Sequence, residues 1–174
     1  MVKSGRPVPS RETEAANARN FEEFFEEQYV SVARALVLLV GDGLEAEELA
    51  EEAFARAWGR WHLVREMASP AGYVYRTALN LNRNRLRRLA QELRPRQRRE
   101  HGPDPAADVA IRDEVRRALA ALPAPQREAV VLVEWLGLDS EEAGEILGIR
   151  AVSVRARVHR ARATLRKQFG GIDE

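Results

Sequence analysis

The sequence predicts an all-α protein made of two small helical domains joined by a linker. Apolar residues recur at steps of three and four along most of the chain, which is the periodicity of amphipathic helices, and no alternating run typical of β-strands appears. A polar stretch at residues 91–107, with three prolines and one glycine, interrupts this pattern near the middle. With 174 residues and 45% hydrophobic content, the chain is long enough to bury two small cores.

Three helices are predicted in the first half of the chain. The first covers residues 20–39 and is ended by the glycines that follow, and the second covers residues 46–61. The second helix has an apolar stripe, whose aromatic residues Phe54 and Trp58 we assign to the core, and glutamates on its opposite side. Ser69-Pro70 suits the cap and first position of a third helix, which ends in a cluster of arginines.

The most specific pattern is that of a helix-turn-helix over residues 138–165. Asp139 can cap a short helix, Gly144 is small where the next helix must approach closely, and Gly148 suits the left-handed backbone position that ends a helix. The arginine-rich side of the following helix is left to face DNA. Its inward stripe has spacings of four, three and four, and consists of Val154, Val158, Ala161 and Leu165.

Charge is distributed in alternating blocks. Residues 21–62 hold ten acidic and three basic residues, a net charge of −7, whereas residues 72–101 hold nine arginines and two acids, a net charge of +7. The alternation repeats with −5 over residues 123–149 and +7 over residues 150–168. One basic block can be a solvated helix face, but two in tandem favour binding to nucleic-acid phosphates. The acidic halves must then face something else.

These patterns together predict an order of domains along the chain. It is a flexible tail at residues 1–19, a first domain at 20–90, a flexible arginine-rich linker at 91–107, a second domain at 108–169 and a short tail at 170–174.

The order and spacing of these elements resemble those of RNA polymerase sigma factors of the extracytoplasmic-function (ECF) group, over residues 21–168. EAEELAEEAFARAW, residues 45–58, resembles the region 2 helix of that family, and residues 122–165 resemble region 4. The resemblance implies an alternative sigma factor that binds core RNA polymerase and directs promoter recognition, melting and transcription initiation. It implies no catalytic residue, metal or cofactor in this chain, and an anti-sigma protein as a further partner.

The resemblance also implies site residues in the first domain. The family's region 2 helix docks on a coiled coil of the polymerase clamp, and the matching positions here are Glu48, Leu49, Glu51, Glu52 and Phe54. Glu51 stands where the family usually has glutamine. The loop at residues 61–72 is expected to capture an unpaired base of the promoter −10 element, with further −10 contacts from Tyr73, Tyr75, Arg76, Asn80, Arg83 and Arg87. Core packing remains an alternative role for the two tyrosines.

Recognition of the promoter −35 element is expected on the last helix. The region 4 resemblance maps this role onto Arg155, Ala156, His159 and Arg160, and helical geometry independently puts most of these residues, together with Arg162, on or beside one face. Arginines near the helix start suit guanine edges, and those toward its end suit phosphates.

Three other functions would account for parts of the sequence or for its glutamate-rich helices. A helix-turn-helix regulator acting without polymerase docking explains the second domain but gives the acidic helix at residues 45–58 no task. An arginine-rich RNA-binding scaffold would bind without promoter preference. A carboxylate-bridged metal enzyme is rejected because the sequence has no Glu-x-x-His pair.

Composition indicates the compartment. The chain has no cysteine and three histidines, which excludes disulfides and thiolate metal sites and suits a reducing environment. Its N-terminal residues lack the apolar core of a secretory signal, and no stretch approaches the roughly 18 apolar residues of a membrane span. We therefore expect a cytoplasmic protein without membrane insertion.

Overall fold

The computed structural model describes residues 11–92 and 108–169, with side chains over residues 20–91 and 114–169. Both ranges consist of helices and the turns between them, without a strand, so the predicted all-α class is confirmed. Most of the predicted linker, residues 93–107, lies outside the described residues. Within the two described ranges, no helix combines the length and hydrophobicity needed to cross a bilayer.

The described residues of the first half, 11–92, form four helices, with bounds that differ from the predicted ones at several ends. The first helix begins nine residues earlier than expected, so part of the predicted tail is helical. Asp42 caps the second helix, because its Oδ1 accepts a hydrogen bond from the amide of Glu45 at 2.9 Å. The helix therefore begins at Gly43, before the predicted start at residue 46. The helices are α1 (Arg11–Val40), α2 (Gly43–Trp58), α3 (Trp61–Val64) and α4 (Pro70–Glu92).

Three aromatic positions show how the end of α2 differs from the prediction. The helix stops at Trp58, and Trp61 instead begins the short α3. The prediction of a core position is confirmed for Phe54, which is 2% exposed, and is wrong for Trp58, which is 47% exposed. Trp58 lies at the edge of the core, with its ring centroid 5.0 Å from that of Phe21.

The second half contains the predicted helix-turn-helix preceded by two helices. The helix after Pro123 changes partway into a π-helical segment, Val131–Trp135, in which the amide of Leu136 bonds to the carbonyl of Val131 at 3.1 Å. Sequence periodicity did not predict this segment. The helices are α5 (Asp108–Ala120), α6 (Ala124–Val130), α7 (Ser140–Leu147) and α8 (Ala151–Phe169), with the π segment between α6 and α7.

The two halves pack against each other. In the first half α2 packs on α1 and α4, and in the second half α8 packs on α6 and α7. Between the halves, α1 contacts α5, α6 and the π segment, and α4 contacts α7. Ile146 of α7 reaches Gly72 at the start of α4, where an added Cβ would lie 3.6 Å from its Cγ1. Helices of both predicted domains thus share one buried cluster.

Candidate nucleic-acid and protein interfaces

Most glutamates of α2 lie on the side of the helix that faces away from its packing partners, whereas Glu45 forms an ion pair with Arg85 of α4. Glu48, Glu51 and Glu52 are exposed, whereas Leu49 and Phe54 are 8% and 2% exposed. Of the five predicted docking residues, the structure brings the three glutamates to one surface, which we call the acidic surface of α2. It puts the two apolar residues in the core, where they hold the helix in place and do not reach solvent.

An aromatic cluster fixes the acidic surface of α2 against α1. The ring of Phe25 lies 5.0 Å from that of Phe54, edge-on, and 4.8 Å from that of Tyr29. Burial raises the pKa of the Tyr29 hydroxyl, and the negative charges of Glu51 and Glu47 raise it further. The field of the acidic surface therefore extends across α2 to this side of α1.

A polar cleft of about 490 Å³ opens between the end of α2 and the first turns of α4. Of the predicted loop at residues 61–72, residues 61–64 form α3 and residues 70–72 begin α4. Ser69 caps α4 as predicted, since its Oγ accepts a hydrogen bond from the amide of Gly72 at 3.0 Å. The cleft contains two predicted −10 residues. The other lining residues could not be predicted from the sequence, because only the fold brings the end of α2 beside α4. The lining residues are Arg56, Gly59, Arg60, Tyr73, Thr77 and Asn80.

Tyr75 lies on the inner side of α4, away from this cleft. It is 6% exposed, and its hydroxyl is 3.1 Å from the Ser31 hydroxyl of α1. Burial raises the pKa of the Tyr75 hydroxyl, and the hydrogen bond with Ser31 partly offsets this. In this arrangement Tyr75 has the alternative role of a core residue, whereas Tyr73 is half-buried at the wall of the cleft.

The arginines predicted for the −10 element differ in what they contact. Arg87 is exposed. Arg83 reaches the second half of the chain, where its Nε and Nη2 donate to the two carboxylate oxygens of Glu128 at 3.0 and 2.6 Å. The hydrogen bonds that Arg83 donates to Glu128 raise the pKa of Arg83, while burial lowers it. Arg76 also reaches the second half, donating to the carbonyl of Glu145.

The helix-turn-helix has the local geometry that its sequence predicted. Asp139 Oδ1 accepts from the amide of Glu142 at 2.8 Å, and Glu142 Oε2 accepts from the amide of Asp139 at 2.8 Å, so the two residues form a capping box. Gly148 has φ +69°, the left-handed conformation that lets the chain turn sharply. At Gly144 an added Cβ would stand 2.7 Å from the carbonyl oxygen of Ile149.

These features orient α8 so that it presents a polar face to solvent. Three residues of its predicted inward stripe are buried and Leu165 is partly buried. The opposite side carries four of the predicted −35 residues, all exposed: Arg155, Ala156, His159 and Arg160.

Two further observations concern the exposed face of α8 that carries Arg155, Ala156, His159 and Arg160, which we call the reading face of α8. Arg162 is exposed but points toward the π segment, where its Nε donates to Glu134 Oε1 at 3.1 Å. Val152 is 53% exposed on the first turn, one helical turn before Arg155 and Ala156. Val152 is not among the residues predicted from the sequence, although it lies on the same exposed side of α8 as two of them.

Comparison with known proteins identifies both halves. The sigma-70 region 2 family matches residues 24–92, and the sigma-70 region 4 family matches residues 112–165. The RNA polymerase sigma-E factor of Streptomyces coelicolor is 31% identical over 154 residues, which cover 86% of this chain and 85% of that protein. The ECF RNA polymerase sigma factor SigE of Mycolicibacterium smegmatis is 31% identical over 156 residues, which cover 84% of this chain and 60% of that protein.

A solved structure supports the fold of both described halves. It is the sigma factor RpoE of Bartonella quintana in complex with the anti-sigma factor NepR, with a TM-score of 0.78 at 22% identity, covering 90% of this chain and 99% of that one. The region 2 match accounts for the first half of the chain, so a regulator consisting of a helix-turn-helix alone is not favoured. The chain belongs to the sigma-70 family, as an alternative sigma factor of the ECF group that directs transcription initiation.

Proposed function

We propose that this sigma factor binds core RNA polymerase through the acidic surface of α2 and binds promoter DNA through α4 and α8. The observation that carries the proposal is the separation of charge, with exposed glutamates on α2 and exposed arginines on α4 and α8. The names of its relatives support polymerase as the partner. The polymerase forms the bonds, so the chain needs no catalytic group or cofactor, and it acts in the cytoplasm.

Docking on the polymerase is proposed for Glu48, Glu51 and Glu52. Carboxylates on a convex surface attract a basic partner and orient its approach, and the attraction weakens as salt is added. Glu51 adds a charge where the family usually has glutamine, so we expect Glu51→Gln to reduce the salt dependence of docking. Leu49 and Phe54 contribute indirectly, by anchoring the helix to the core.

Binding of the −10 element is proposed at the polar cleft and along α4. The Tyr73 ring offers a stacking surface for an unpaired base, and the Asn80 amide offers both a donor and an acceptor. Arg56 and Arg60 at the rim of the cleft suit the phosphates on either side. Opening the duplex costs unstacking energy, which these contacts would offset.

Binding of the −35 element is proposed at the reading face of α8. Side chains at the start of a recognition helix reach base edges, which assigns base contacts to Arg155 and Ala156. Arg160 and Arg162, further along, suit phosphates, since both are exposed and charged. His159, which lies between Ala156 and Arg160 in the sequence, can contact a thymine methyl or, when protonated, a phosphate.

Transcription in vitro with purified core polymerase and a genomic promoter library tests the proposal. We expect promoter-dependent products, reduced by Arg155→Ala about 5- to 150-fold, since a good bidentate contact to a base contributes about 1–3 kcal/mol. Arg34→Ala removes an exposed arginine from α1 and serves as the matched control, with little change expected. Absence of any promoter-dependent product from folded protein and active core would refute the proposal.

A pull-down of core polymerase tests the docking surface separately. The wild-type chain should retain the polymerase, and Glu48→Lys with Glu52→Lys should weaken retention. Glu114→Lys, which alters an exposed glutamate of α5 by the same charge, should leave retention unchanged. Equal retention by all these proteins would exclude α2 as the docking element.

An anti-sigma protein is proposed as the regulatory partner. The similar sigma factor RpoE was solved together with the anti-sigma factor NepR, which supports a partner of this type. Co-purification of a protein from the native cell that suppresses the in vitro transcript, and loss of suppression when it is removed, is the expected result.

A further inference from the structure

A partly buried ion pair joins the two halves of the molecule. Arg83 of α4 and Glu128 of α6 are 45 positions apart, and the guanidinium meets the carboxylate through two parallel hydrogen bonds of 3.0 and 2.6 Å. The Glu128 side chain is 9% exposed and that of Arg83 is 32% exposed. A carboxylate buried to this extent requires its partner, because an unpaired charge there is strongly unfavourable.

Two further arginine contacts cross the same boundary. Arg76, two turns before Arg83 on α4, donates to the carbonyl of Glu145 on α7. From the other side, Arg127 Nη1 donates to the carbonyl of Leu39 near the end of α1 at 2.7 Å. The packed arrangement therefore engages arginine hydrogen-bond donors from both halves, and α4 supplies two of these arginines, Arg76 and Arg83.

The two α4 arginines are among the residues that the sequence predicts to contact the −10 element, and the proposed function extends DNA binding along α4. A guanidinium that donates to both oxygens of a carboxylate has the same donors engaged that a phosphate would take. Arg83 thus cannot bind DNA and Glu128 in the same way at one time. The α7 helix packs on α4, and the exposed Arg76 side chain is held toward α7 by its bond to Glu145.

We propose that Glu128 serves as an internal substitute for a DNA phosphate, holding Arg83 in a closed arrangement from which promoter DNA is excluded. This inference rests on the proposed function of α4. Binding of DNA exchanges one anionic partner of Arg83 for another and separates the second domain from the first. Glu128 and Arg127 are neighbours on α6, so one movement of that helix breaks both of their contacts.

Chain length permits this separation. Residues 93–107 number fifteen, and a fully extended chain spans at most about 3.3–3.6 Å per residue, so the two joined ends can lie up to about 50 Å apart without unfolding either domain. A DNA phosphate can replace Glu128 as the partner of Arg83 only if the Arg83–Glu128 pair is no more than moderately stable. Desolvation of a partly buried ion pair cancels much of its attraction, which keeps the closed arrangement open to competition.

The first test measures affinity for a random-sequence single-stranded DNA 20-mer by fluorescence anisotropy. Glu128→Gln preserves the shape of the side chain and weakens the closed pair, so we expect DNA to bind about tenfold more tightly. Glu114→Gln removes an equal charge from the exposed surface of α5 and should change affinity less than about twofold. Adding Arg83→Gln to Glu128→Gln should abolish the gain, because the released arginine is then absent.

The second test measures the separation of the domains directly. The chain has no cysteine, so Ala55→Cys on α2 and Gln168→Cys on α8, both exposed, allow two dyes to be attached. Energy transfer should fall when the DNA 20-mer is added to the otherwise wild-type chain, and should start lower with Glu128→Gln. Arg76→Gln, which alters an exposed side chain, provides the same comparison if circular dichroism shows that Glu128→Gln is unfolded.

Unchanged DNA affinity and unchanged energy transfer in folded Glu128→Gln would overturn the inference, as would unchanged transfer in Arg76→Gln where that variant replaces it. Neither test uses polymerase. Failure of the chain to direct transcription would therefore count against the proposed function and leave the closed arrangement to be decided by these two measurements.

Discussion

Gly144 lies where α7 comes closest to the turn that leads into α8. An added Cβ would stand 2.7 Å from the carbonyl oxygen of Ile149 and 3.4 Å from the amide nitrogen of Ala151, both backbone atoms that cannot rotate away. Gly144→Ala should therefore push the turn outward. Forcing an extra methyl into a packed site costs about 1–3 kcal/mol, and the better helix propensity of alanine offsets about 1 kcal/mol. We expect a net loss of stability of about 1 kcal/mol.

Gly43→Ala is the matched control for this substitution. Gly43 is the first residue of α2 and has no atom within 4 Å of an added Cβ, so the helix propensity gain should appear without a clash. Urea unfolding followed by far-UV circular dichroism should show a lower midpoint for Gly144→Ala and an equal or higher midpoint for Gly43→Ala, with unchanged slopes. A midpoint for Gly144→Ala at or above that of the wild type would refute the close-approach argument.

Three more predictions follow from single contacts. Asp139→Ala should destabilise the second domain by about 1 kcal/mol, because it removes both amide bonds of the cap, and its urea midpoint should fall. Tyr75→Phe should cost about 0.5–1.5 kcal/mol by removing the bond with Ser31, yet leave single-stranded DNA affinity unchanged; a clear loss of affinity would instead make Tyr75 a DNA contact. If Val152 contacts a thymine methyl, replacing one thymine of the selected −35 element by deoxyuracil should weaken binding of the wild type and not of Val152→Ala, as measured by anisotropy.

Local signals in the sequence were sufficient for the helix-turn-helix. Asp139, Gly144 and Gly148 each act on backbone atoms within a few residues, and their predicted roles are confirmed by the capping box, the close approach and the left-handed φ. The buried stripe of α8 follows from spacing alone in the same way. Such features depend on neighbours in the chain, so one sequence specifies them.

Features that depend on distant parts of the chain were not predictable in this way. The polar cleft exists because the end of α2 lies beside α4, which brings Arg60 near Thr77. Val131 and Leu132 of the π segment are buried in the core, and no turn or cap residue in the sequence predicts the segment. The role of Arg83 likewise depended on Glu128, for which the sequence offered no pairing rule.

The two acidic blocks of the sequence prove to have different partners. In the second block, Glu134 pairs with Arg162, Glu141 Oε1 lies 3.4 Å from Arg155 Nη1, and Glu128 binds Arg83, so this block mostly neutralises arginines of the same chain. In the first block, Glu45 and Glu52 pair with Arg85 and Arg56, whereas Glu48 and Glu51 remain exposed on the acidic surface of α2. The net charge of a block therefore does not reveal which of its carboxylates are paired within the chain.

This difference between paired and exposed carboxylates predicts the order in which the polymerase and the promoter bind. Carboxylates that are already paired within the chain can be displaced by DNA phosphates, whereas exposed carboxylates can attract a basic protein surface before any internal contact is broken. Docking through α2 therefore does not require the two domains to separate, and promoter binding does. We expect the polymerase to bind the closed chain first and the promoter to complete the opening, an order in which free sigma factor is kept off DNA until it has joined the enzyme.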